Sequence, residues 1–105
     1  MAVKTNKIIE ETKDLIQTLE KRGLSIKRAY LFGSYAKGSA KKWSDIDLLL
    51  VSDKFKGIRF YDIEKLIPLT KGYSNLIEFH PVKTSDFVPS DLFIREVMET
   101  GIRIK

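Results

Sequence analysis

The sequence predicts a small α/β (α+β) domain, a mixed β-sheet flanked by helices, and three observations predict it. The chain has 105 residues, a length that suits one core over 1–105 and leaves no room for a separate substrate-binding module. Apolar residues recur at helical spacing near both ends, over 5–23 and 90–101. Between them, runs rich in aliphatic and aromatic residues at 26–32, 45–51 and 75–82 read as strands.

In the first segment Ile8, Ile9, Thr12, Leu15, Ile16 and Leu19 fall on one helical face with Lys and Glu between them, and Gly23 closes the pattern. Ile26 to Phe32 is the first strand and ends at Gly33. Residues 33–44, GSYAKGSAKKWS, read as a loop or a short helical turn. Asp45 to Val51 is the second strand, and its LLLV half is apolar on both faces, as a strand covered by helices on both sides must be. Asp62 to Leu69 is a short helix using Ile63, Leu66 and Ile67 and disturbed by Pro68. Asn75 to Val82 is the third strand, with Pro81 marking its exit. Ser90 reads as the N-cap of a last helix carrying Phe93, Ile94, Val97 and Met98, and Gly101 ends it. Ile102 to Ile104 adds a short terminal strand.

Composition excludes several classes. Apolar residues make up 43% and charged residues 31%, an ordinary globular balance. There is no cysteine, which removes disulfides and thiolate metal sites and makes a cytoplasmic location the default. No apolar run is long enough for a signal peptide or a membrane span. The formal net charge of +5 favours anionic partners such as nucleotides. The lysines are scattered, however, and no basic–aromatic binding motif appears, so direct nucleic-acid binding is not favoured.

The chemistry lies between Leu31 and Val51. A strand ends in Gly33-Ser34, ten residues intervene, and a second strand opens with Asp45-Ile46-Asp47. Period-2 geometry puts Asp45 and Asp47 on one face, roughly 7 Å apart, and turns Ile46 into the core. Two carboxylates about 4 Å apart at an effective dielectric near 20 repel by about 4 kcal/mol. A proton or a hard cation such as Mg²⁺ or Mn²⁺ relieves that repulsion. Glu78, a charge within the apolar run Leu76 to Phe79, is the candidate third acid if its strand neighbours that of Asp45. Three carboxylates of this kind suit two-metal phosphoryl transfer. Gly33 lets backbone approach a phosphate, Ser34 offers a hydroxyl and an N–H, and Lys37 offers positive charge one turn on.

Each of these residues also has a plain structural reading. A Gly-Ser turn commonly ends a strand, and Glu78 alone reads as a solvent-facing strand residue. Lys37, Lys41 and Lys42 alone read as a solvated loop, His80 as a strand-end residue and Trp43 as packing. The combination carries the assignment. Rival motifs fail on order: Ser39-Ala40 stands where a P-loop needs Lys-Ser/Thr, and Leu48 to Leu50 supply none of the oxygen ligands of a calcium loop.

Gly33-Ser34, ten residues, then Asp45-X-Asp47 resembles the signature of the DNA polymerase β-like nucleotidyltransferase superfamily, and LFGSYAKGSAKKWSDIDLLLV is similar to its minimal nucleotidyltransferases. The resemblance implies a palm-like sheet and Mg²⁺, two ions, with Mn²⁺ as an alternative. It also implies ATP or another nucleoside triphosphate as substrate. It implies Asp45, Asp47 and Glu78 as catalytic metal ligands, with Gly33, Ser34 and Lys37 at the phosphates. Two positions depart from the pattern: Lys37 stands where Arg is frequent, and Glu78 where Asp is common. Minimal members are often paired with a small helical HEPN-domain protein as its antitoxin, and some transfer AMP onto it. The expected function is therefore AMP transfer to such a partner. The alternative is an antitoxin that neutralises by binding alone. A homo-oligomer stays open.

Overall fold

The computed structural model describes residues 5–105. The first helix, α1, runs Thr5–Lys21 and buries Thr12, Leu15, Ile16 and Leu19, the stripe that its periodicity defines. It ends in a left-handed turn. Gly23 takes φ +96°, and the Leu24 N–H reaches back to the Leu19 carbonyl at 2.9 Å, satisfying an otherwise orphaned acceptor.

Strand β1 (Arg28–Phe32) leads into α2, a single turn over Ser34–Lys37, and then to β2 (Ile46–Ser52). Next come α3 (Arg59–Leu66), a 3-10 turn at Ile67–Leu69 and β3 (Ile77–Lys83). A 3-10 turn at Thr84–Asp86, helix α4 (Leu92–Thr100) and the two-residue β4 (Ile102–Arg103) complete the described chain. The four strands form one mixed sheet in the order β3-β2-β1-β4. β1 is antiparallel to both neighbours, and β2 is parallel to β3.

Leu48, Leu49 and Leu50 are fully buried on central β2, and strand alternation sends them to two cores. Ile46, Leu48 and Leu50 join Ala29, Leu31 and Ile77 beneath Leu15, Ile16, Leu19 and Leu66 of α1 and α3. On the other face Tyr30, Leu49 and Val51 pack with Ile94 and Val97 of α4. Asp47 shares the parity of Leu49 and Val51, so it belongs to the α4 face, at the end of β2 nearest the Gly33 turn.

Several boundaries differ from the sequence reading. The second strand starts at Ile46, so Asp45 precedes it. Helix α3 begins at Arg59, three residues before the expected Asp62. Its first turn leaves Phe60 69% and Tyr61 50% exposed, so no apolar stripe announced it. Asp62 is fully buried instead, and its carboxylate accepts the Lys56 and Gly57 N–H groups at 2.8 and 2.9 Å. Asp91, not Ser90, caps α4: its Oδ1 accepts from the Phe93 and Ile94 N–H groups at 2.9 and 3.2 Å. Pro81 does not end β3, which continues to Lys83; β3 lies at a sheet edge, where a proline is tolerated. Trp43 is not packed but 75% exposed, with the Lys42 ammonium 5.2 Å from its ring centroid. Among the described residues no helix is long and apolar enough to cross a membrane.

Candidate functional site

The parallel β2–β3 register sets Asp47 directly beside Glu78. Neighbouring residues of a parallel pair project from the same face, so the two carboxylates stand side by side. His80, two residues beyond Glu78, projects from that face as well. Its Nε2 lies 3.3 Å from Asp47 Oδ1 and 4.0 Å from Glu78 Oε1. One donor atom from each of Asp47, Glu78 and His80 lies within 4.8 Å of the others. Asp47 and His80 are about a fifth exposed and Glu78 about half, so the group opens to solvent on the Glu78 side.

The floor of this corner is aromatic. Phe32 opposes Asp47 across the β1–β2 ladder, and its ring meets the His80 ring edge-on at a centroid distance of 4.8 Å. Phe93 of α4 packs against Phe32 in turn at 5.5 Å. The imidazole is therefore held by packing as well as by its contact with Asp47. Arg59 at the start of α3 sits 4.0 Å from Glu78 Oε1, an exposed pairing that screens little of the local negative charge.

Gly33 is the second component. It has φ +75° and ψ −146°, a region open in practice only to glycine. A Cβ placed there would overlap Asp47 Oδ2. The turn between β1 and α2 thus runs with its backbone against the carboxylate. Ser34 is the first residue of α2 and Lys37 the last. Lys37 is exposed and lines a cavity of about 230 Å³ with Phe32, Gly33, Phe93, Glu96 and Thr100, between the glycine turn and α4. A larger open groove, of about 600 Å³, lies on the other side of β3. Arg59, Phe60, Ile63, Ile67, Glu78 and Phe79 line it, so Glu78 borders both the acidic corner and an apolar trough.

Of the residues expected from sequence, the fold brings together Asp47, Glu78 and Gly33, with Ser34 one residue on. Asp45 stands at the mouth of β2, exposed, and is outside the group formed by Asp47, Glu78 and His80. Its carboxylate has no hydrogen-bond or ion-pair partner among the described residues. His80 is the residue that the sequence reading passed over. Placing the strand's exit at Pro81 made His80 look terminal, whereas the Glu78-X-His80 spacing on a continuing strand was the available signal.

These donors suit a divalent cation. Two adjacent carboxylates supply hard oxygens, His80 supplies an imidazole nitrogen, and the absence of a side chain at Gly33 spares the Asp47 carboxylate a collision on that flank.

The model of the nucleotidyltransferase domain family matches residues 7–104. The chain belongs to that family, and its fold is that of a nucleotidyltransferase domain. The chain is similar to a candidate nucleotidyltransferase from Sulfolobus solfataricus, with a TM-score of 0.62 at 16% identity over 94% of this chain and 80% of that one. It is also similar to a mutant of the toxin–antitoxin pair MntA–HpeT, with a TM-score of 0.49 at 21% identity over 98% of this chain and 73% of that one. Curated proteins gave no significant match.

Proposed function

We propose that residues 1–105 form one nucleotidyltransferase domain that moves a nucleotide, AMP from ATP, onto a hydroxyl of a partner protein with the help of Mg²⁺. The observation that carries this reading is the Asp47–Glu78 pair, set side by side by strand register and faced by a glycine turn. Like charges so placed destabilise the fold unless a cation lies between them. Asp47 and Glu78, with Asp45 joining from the strand mouth, would hold the metal, which when bound neutralises triphosphate charge and polarises the reacting phosphorus.

The remaining chemistry falls to the chain and the acceptor. Gly33 and Ser34 present backbone and hydroxyl to the phosphates, and Lys37 adds charge beside them. The acceptor oxygen forms a bond to the α-phosphorus as the bond between the α-phosphorus and the α–β bridging oxygen breaks. Pyrophosphate leaves with that electron pair, and the hydroxyl proton passes to a site carboxylate or to water. The acceptor comes from outside, and the apolar trough bordered by Glu78 offers the surface on which its carrier can dock. The motif resemblance makes that carrier a small helical HEPN-domain protein.

Binding tests the first half of the proposal. ATP with Mg²⁺, supplied at about 100 times the dissociation constant, contributes about 2.7 kcal/mol of stability. In a domain of this length that raises the melting temperature by on the order of 10 °C. Trp43, the single tryptophan, two residues before Asp45, gives an independent fluorescence signal. No shift in either readout with any nucleoside triphosphate at millimolar metal would contradict the reading.

A further inference from the structure

We infer that His80 is a direct metal ligand and that it tilts this site toward Mn²⁺ and away from Mg²⁺; the inference rests on the reading of Asp47 and Glu78 as the metal-holding pair. Ligand atoms about 2.1 Å from one octahedral ion lie about 3.0 Å apart when adjacent and about 4.2 Å apart when opposite. The His80 Nε2 separations of 3.3 Å from Asp47 Oδ1 and 4.0 Å from Glu78 Oε1 fall within that span. An imidazole that served only as packing on Phe32 and Phe93 would not need its nitrogen between two carboxylates. Among the described residues the His80 side chain has as polar partners only these two oxygens, beside its ring contacts with Phe32 and Phe93.

The donor set then decides the ion. Mg²⁺ prefers oxygen ligands and water, and gains little from a nitrogen. Imidazole suits Fe, Ni, Cu and Zn, whereas carboxylate and water oxygens suit Mg²⁺ and Mn²⁺; a mixed set of two carboxylates and one imidazole therefore favours Mn²⁺, the transition metal among the oxygen-preferring ions. Neutral imidazole carries one proton. With that proton on Nδ1, the Nε2 lone pair is free for the ion; with it on Nε2, the ring donates to Asp47.

The test uses Mn²⁺ and Mg²⁺ alone, without nucleotide or acceptor, on the full chain. Free Mn²⁺ is followed by electron paramagnetic resonance, Mg²⁺ by its competition, and the bound Mn²⁺ by electron spin echo modulation. The wild type is expected to prefer Mn²⁺ by at least about tenfold, with the modulation of a coordinated ¹⁴N. His80→Gln keeps reach but replaces the nitrogen donor by a carbonyl oxygen. It should lose the ¹⁴N signature and bring the two affinities together, at an unchanged melting temperature in chelator. Equal Mn²⁺ preference in wild type and His80→Gln, with no ¹⁴N modulation in either, overturns the inference while leaving the nucleotidyltransferase reading intact. Mn²⁺ binding that Asp47→Asn does not weaken overturns both.

Discussion

Asp47→Asn is expected to cut metal-dependent transfer by at least about three orders of magnitude while leaving the metal-free protein as stable as wild type, or slightly more so. The loss follows from the position of Asp47, which sits between Glu78 and the glycine turn. Losing about 4 kcal/mol of transition-state stabilisation, a moderate share for a metal-binding carboxylate, lowers a rate about a thousandfold. The stability follows from charge. Asparagine keeps the shape of the side chain and can still accept from His80, but it no longer repels Glu78. The measurements are transfer rate and chemical denaturation on the same preparation. A variant that unfolds would make Asp47 a structural residue and remove the basis of the assignment.

Gly33→Ala is expected to act oppositely on stability, losing both stability and activity. The backbone at φ +75° and ψ −146° costs a side-chain-bearing residue about 1–3 kcal/mol. The new Cβ would also overlap Asp47 Oδ2, so either the turn or the carboxylate must move. Gly38→Ala supplies the control. Gly38 also has a positive φ, of +74°, but a Cβ there meets nothing within 4 Å. It should cost about 1–2 kcal/mol and leave the metal site untouched. If the two alanine variants lose equal stability and Gly33→Ala keeps metal binding, the close approach of turn and carboxylate has no functional meaning.

These two substitutions fall in the stretch where the sequence was most legible. Gly33 and Asp47 were readable because alternation on a strand fixes a face and a strand-ending glycine fixes a turn. Both rules act within a few residues. Glu78 depended on a strand pairing that no local rule supplies; the parallel β2–β3 register provides it. His80 was hidden by Pro81, whose usual meaning as a strand breaker fails at a sheet edge. The start of α3 was hidden for the reverse reason. Its first turn turns Phe60 and Tyr61 outward, and the buried acid at its centre is satisfied by loop N–H groups rather than by the core. The Asp91 cap was missed by one residue, within the reach of capping chemistry, since Ser90 and Asp91 are both good N-cap residues. Trp43 shows the limit of composition: a lone tryptophan suggests packing, yet this one lies exposed on the surface.

The central claim is that the acidic corner transfers a nucleotide and does not merely survive in a binding protein. Intact-mass spectrometry of a co-purified helical partner, incubated with this protein, ATP and Mg²⁺ or Mn²⁺, tests it most directly. The expected result is a partner heavier by one nucleoside monophosphate, equimolar pyrophosphate released, and neither product with the Asp45→Asn/Asp47→Asn double variant. A partner that binds stably, keeps its mass, and is neutralised equally well by wild type and double variant would contradict the claim.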